Sequence, residues 1–129
     1  NIKTRQAFTV SFADAAHVKE ADYVGIVSGN KEPAKLEKAG LHPIKSEFVD
    51  APLIDELPMA LECRLVSYDE KSELMLGEIV NVCADERVLT DGKIDPAKLC
   101  PITFDPVNNA YLKLGEKVGN AFKDGAALK

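Results

Sequence analysis

A chain of 129 residues holds one domain, and folding at that size buries roughly two-thirds of the surface of the unfolded form, enough for a single core. Its 21 acidic and 16 basic side chains give a formal net charge of −5 with no block of like charges, so polyanions are repelled and nucleic acid is excluded as the expected partner. No apolar stretch approaches the roughly 18 residues of a membrane span, and no basic start leads into an apolar core with a cleavage site, so a soluble cytoplasmic protein without a membrane partner is the expectation.

Asn1 is not an initiator Met, so either residues have been removed or the chain is a fragment. Residues Ala7 to Phe12 alternate, with Phe8, Val10 and Phe12 on one side and Thr9 and Ser11 on the other, which is the period of a half-buried strand. Asp14 is the N-cap of a helix expected from Ala15 to Ile26, and Ser28-Gly29-Asn30 ends it because Gly and Asn tolerate left-handed backbone. A second short helix is expected from Pro33 to Ala39, with Gly40 as its C-cap. The stretch from Leu41 to Val49 reads as extended, and the two prolines of Asp50 to Pro58 rule out a central strand and suggest a loop that crosses over.

The clearest pattern is the pair "MALECRLVSY" and "ELMLGEIVNVCA", joined by the polar loop "DEKS" as an antiparallel hairpin. In the first, Met59, Leu61, Cys63 and Leu65 share a face and Glu62 and Arg64 lie on the other; in the second, Glu78 interrupts the face of Leu74, Leu76, Val80 and Val82. Glu78 is either solvated at a barrel rim or, the better reading, paired with Arg64 across the ladder. After it come an Asp91-Gly92 turn and a short helical turn behind Pro96, and the stretch from Cys100 to Phe122 reads as a tail. The sum is a mainly β domain with short helices. Its few strands leave edges open, which is a physical reason to expect further N-terminal strands, a partner subunit, or both.

No phosphate-binding glycine loop, zinc-protease motif, nucleophile elbow or C-x-x-C pair occurs. Cys63, Cys83 and Cys100 are too widely spaced for a disulfide framework and read as reduced thiols, the first two as small buried hydrophobes. With only His17 and His42 in the chain, neither a Cys-His nucleophile nor a histidine-rich metal site is expected, and the acids Asp14, Glu20, Asp22, Glu70 and Glu73 are scattered as a solvated surface would scatter them. The residues by themselves point to no catalytic constellation.

The order "AFTVSF … ADYVGIVSGNK … AKLEKAGL … APLIDELPMALECRLV … LMLGEIVNV … DGKIDPAKL … PITFDPVNNAYLKLGEKVGNAF" resembles the flavin reductase-like family, and in particular its flavoredoxin members. The likeness runs from Ile2 to Phe122; its most specific pieces are "LECRLV", "GEIV", the "VSG" turn and the closing "YLKLGEKVG". It implies an antiparallel split β-barrel of the FMN-binding type, a single domain over 1–129 that lacks the N-terminal strands of relatives. It also implies a homodimer that holds FMN non-covalently, with hydride or electrons coming from NAD(P)H or passing to a redox protein, either as a flavin reductase-like enzyme or as an electron-transfer flavoprotein. A flavin-free dimerising β domain, or a small-molecule-binding module of the same lineage, is the alternative.

For the site, the resemblance implies Ser28 and Gly29 on the family's S-G turn, where a plain helix C-cap competes. Lys31 stands near an arginine of relatives and is a candidate for the phosphate, against a solvated lysine; Lys35 matches the first residue of a Lys-Phe pair whose aromatic is here Leu36. Tyr111 and Gly115 lie in the closing run, the one able to stack beside a flavin and the other to let backbone approach it, with core packing as the rival for Tyr111. Asn1 and Arg5 match the stretch just after the relatives' phosphate loop.

Overall fold

The computed structural model describes all 129 residues. The chain opens with a single helical turn, α1 (Ile2–Arg5), closed by Gln6 in left-handed backbone, and passes into β1 (Ala7–Ser11). The helix expected from Ala15 begins instead as a 3-10 turn, Ala15–His17, and becomes α-helical only over α2 (Val18–Ile26). Asp14 explains the split: its carboxylate accepts from the His17 amide at 3.0 Å and from the His17 ring at 2.6 Å, which closes a tighter three-residue turn before the helix proper. The next helix, α3 (Lys35–Lys38), is shorter than the sequence suggests, and Gly40, at φ 71°, terminates it.

The stretch expected to be an extended run and then a loop is a small ladder, β2 (Pro43–Lys45) against β3 (Pro52–Ile54). Prolines are tolerated here because each starts its strand and the ladder has no third member, so neither missing amide is needed by a neighbour on both sides. The long hairpin is β4 (Met59–Asp69) with β5 (Leu74–Ala84), and β1 pairs along the other edge of β4 to give the order β1-β4-β5, antiparallel throughout. Arg64 faces Glu78 in this ladder and their side chains form the expected ion pair.

Two register shifts, one leaving Val80 unpaired on β5 and the other Val66 on β4, coil the hairpin. Its first half is covered on both faces, so that consecutive residues Glu62 and Cys63 are both buried, while the second half projects into solvent. Beyond the hairpin, β6 (Leu89–Thr90) and β7 (Lys93–Ile94) flank Asp91 and Gly92, both with positive φ as a type I′ turn requires. Helix α4 (Pro96–Leu99) follows, capped by Asp95.

The segment read as a tail contains one more hairpin, β8 (Ile102–Asp105) with β9 (Ala110–Lys113), turning through Asn109 in left-handed backbone. A bridge between Asp14 and Pro101 fastens it to the start of the α2 region. The core lies where these pieces meet: Ala7, Leu41, Ala60, Cys63, Val88 and Leu99 are buried, with Asp14, Ser46 and Glu62 among them. No helix is long and apolar enough to cross a membrane.

Candidate functional site

A groove of about 680 Å³ lies at the free edge of β1. Its inner wall is α1 and β1, contributing Ile2, Arg5, Phe8 and Thr9; its outer wall is the β2–β3 segment, contributing Ile44, Lys45, Asp50 and Pro52. The walls are held together by Thr9, whose hydroxyl donates to the Pro52 carbonyl at 2.5 Å, and across the mouth by Arg5 Nη1, which lies 2.7 Å from Asp50 Oδ1. The Arg5–Asp50 pair is exposed at both ends, so it contributes little to stability and its guanidinium can exchange one anion for another.

Phe8 lines the groove from β1, and its ring reaches across β4 to β5, where Gly77 has no side chain to meet it. A Cβ there would stand 2.3 Å from Phe8 Cζ. Arg5 and Lys45 set two cations against the single carboxylate of Asp50 in this lining, so the groove's side chains are net cationic.

The six residues assigned by resemblance lie elsewhere: Ser28, Gly29, Lys31 and Lys35 follow the C-terminal end of α2, Tyr111 is on β9 and Gly115 lies beyond it. Ser28 accepts from the Asn30 amide through its hydroxyl, and its carbonyl accepts from the Lys31 and Glu32 amides at 3.0 and 2.9 Å. Lys35 reaches back past Gly29 to donate to the Val24 and Val27 carbonyls at 2.8 and 3.0 Å, capping the helix end that the Ser28-Gly29 turn leaves open. Lys31 uses only its backbone; its ammonium makes no hydrogen bond or ion pair.

Tyr111 of β9 joins the same helix from the side, its hydroxyl donating to Asp22 Oδ1 at 2.7 Å and its ring packing at 5.8 Å from that of Phe104. The bond to the Asp22 carboxylate, and then partial burial, push the phenol above its ordinary value. Gly115 lies past β9 with open space where a Cβ would be. Ser28, Gly29 and Lys35 are thus brought together, Tyr111 is tied to the flank of the same helix, and none of the six lines the groove.

The groove residues Lys45, Asp50 and Thr9 carry no motif in the sequence; the resemblance reached only Asn1 and Arg5 on this side. A smaller cavity of about 200 Å³ lies against Cys83, between Ile44 and Met59. Burial pushes the thiols of Cys63 and Cys83 up, the nearby charge of Glu62 adding to the effect at Cys83, so both are kept as unreactive thiols.

The sequence matches the family described as flavin reductase like domain over residues 1–102. Among solved structures, the chain is similar to flavoredoxin of Desulfovibrio vulgaris (Miyazaki F), with 42% identity and a TM-score of 0.90 over 96% of this chain and 67% of that one. It is similar also to flavoredoxin from Methanosarcina acetivorans, with 32% identity and a TM-score of 0.89 over 99% of this chain and 68% of that one. A curated relative, YdfE of Bacillus subtilis (strain 168), is 30% identical over 95 residues, which are 69% of this chain and 45% of YdfE. The chain spans about half the length of that relative, and its fold is the split barrel of the flavin reductase-like proteins, without a closed barrel. With a match that takes in α1 through α4, the groove and the α2 turn together, this chain belongs to the flavin reductase-like family.

Proposed function

We propose that the groove between β1 and the β2–β3 wall binds FMN, and that the protein works as a homodimeric flavoprotein taking hydride from NAD(P)H or passing electrons to a redox protein. The observation that carries the reading is a lining that combines the apolar Ile2, Ile44 and Pro52 with the cations Arg5 and Lys45. Its volume falls within the roughly 300–1,000 Å³ of ligand pockets. The residues fit the cofactor's two halves: Arg5 and Lys45 would hold the phosphate, Arg5 by exchanging Asp50 for it, while Ile2, Ile44 and Pro52 would bear on the apolar ring.

A bound flavin supplies the redox chemistry at its isoalloxazine ring, which is why a chain without a side-chain triad can serve. The protein's share is to bind, orient and exclude water. In the assignment by resemblance, Lys35 holds the Ser28-Gly29 turn through its two carbonyl bonds, which leaves Lys31 as the lysine with an ammonium free for an anion. Tyr111, anchored by Asp22, and Gly115 lie outside this groove, so a flavin bound in it meets them only from the second copy of the homodimer.

Titration with FMN and with riboflavin tests the reading. FMN should be taken up with a visible flavin spectrum, and Arg5→Ala should weaken FMN by about tenfold or more while leaving riboflavin, which has no phosphate, nearly unchanged. Colourless protein that takes up no added FMN would overturn it. Bleaching of the flavin band by NADH or NADPH would assign a reductase role; reduction only by a protein donor would assign electron transfer.

A further inference from the structure

Glu62 is 1% exposed, the most deeply buried charged side chain of the molecule, and no cation pairs with it. Its two oxygens are divided between neutral donors: Oε1 accepts from the Ser46 hydroxyl at 2.5 Å, and Oε2 accepts from the Asn81 side-chain amide. Ser46, also buried, accepts in turn from the Phe48 and Val49 amides at 3.0 Å each. A hydroxyl has one proton and two lone pairs, so Ser46 uses all three, and the carboxylate decides the direction of the proton.

This chain of bonds runs from β5 through β4 into the turn that begins just after β2. Lys45 immediately precedes Ser46, and Val49, Asp50, Ala51 and Pro52 follow; all five line the groove. The other ties on this wall are at its ends or in solvent. The β2–β3 ladder joins the ends to each other, Thr9 holds Pro52, and the Arg5–Asp50 pair is exposed. The buried tether of the intervening turn is Glu62.

We propose that Glu62, acting through Ser46, is the positioning residue of the groove's outer wall and thereby sets the affinity for an anionic ligand at Lys45 and Arg5. The proposal rests on the groove being the FMN site. A carboxylate suits the task because it accepts from both donors at once; an apolar side chain in its place leaves the Ser46 hydroxyl and the Asn81 amide buried without an acceptor.

Glu62→Leu and Glu62→Gln test this by amide exchange and FMN titration. In Glu62→Leu, which removes the acceptor, the Phe48 and Val49 amides should exchange about tenfold faster, the β1–β4 ladder should keep its protection, and the Kd for FMN should rise about tenfold. In Glu62→Gln the glutamine oxygen still accepts from Ser46 and the Asn81 amide turns to accept from the glutamine nitrogen, and both quantities should stay near their wild-type values. Should Glu62→Leu not fold, Ser46→Ala removes the hydroxyl without touching the sheet and should give the same local pattern. A uniform loss of protection, or an unchanged Kd with a loosened turn, would overturn the proposal. Wild-type protein that takes up no FMN would sink the flavin reading instead, and the exchange comparison would still decide whether Glu62 places the wall.

Discussion

His42 and Glu56 form a clasp across the ends of the β2–β3 ladder. The Glu56 carboxylate accepts from the His42 amide at 2.8 Å and from its ring. The side-chain bond to Glu56 and its charge raise the His42 pKa above the ordinary 6.5, and the two bonds from His42 hold Glu56 below its ordinary 4.5. The histidine's contribution is present below its unfolded value and fades as pH rises through its folded value. The glutamate's is present above its unfolded value and fades as pH falls through its folded one. The clasp is therefore complete between about pH 4.5 and 6.5 and weakens outside that window. An NMR titration should place the His42 midpoint above 6.5, and Glu56→Gln should return it toward 6.5; a midpoint unmoved by that change would disprove the pairing. At this scale the sequence was legible where partners are neighbours, as with Asp14 and His17, and not where they are distant. It set Glu62 beside Arg64 on one strand face, but the donors that make burial tolerable, Ser46 and Asn81, lie 16 and 19 residues away.

Among the elements, the β4–β5 hairpin was readable because alternation is a local property of a pleated strand, and the Arg64–Glu78 pair followed from the same register. The hairpin β8–β9 carried its own signal in Pro106 to Asn109, a turn sequence between Phe104 and Tyr111, which four-residue strands made easy to take for a tail. The two bulges were not legible, since an extra residue in a strand shows only against its partner. A close approach of the same kind joins β1 to β5, where the Phe8 ring packs because Gly77 leaves space. Gly77→Ala should destabilise the fold by about 1–3 kcal/mol as the Phe8 ring is displaced. Chemical denaturation would measure the effect; an unchanged midpoint would show that Phe8 yields freely.

For the molecule as a whole, surface area is the deciding quantity. The chain exposes 9776 Å², while a compact monomer of 14.0 kDa exposes about 6,700 Å², an excess of roughly 3,000 Å². A standard interface covers about 800 Å² per partner, so there is ample surface for one. It is concentrated on β5, an edge strand of 11 residues with Leu74, Leu76, Ile79 and Val82 exposed, and on the segment after β9, where Val118 and Phe122 touch nothing. A second copy covers this surface in our reading. Sedimentation should give a mass near twice 14.0 kDa, and Leu76→Glu should shift it toward the monomer. A monomer at every concentration would rule out the homodimer.

What the sequence by itself determined is the family, the hairpin of β4 and β5 and the caps at Asp14 and Gly40, because period, capping and motif are all written over a few adjacent residues. What only the tertiary structure decided is where a ligand fits. The groove exists because β3 is brought to the edge of β1 by the Thr9–Pro52 bond, joining residues more than forty positions apart, and because Glu62 holds the turn between β2 and β3. Contacts of that span depend on how the whole chain closes on itself, and no local pattern encodes them.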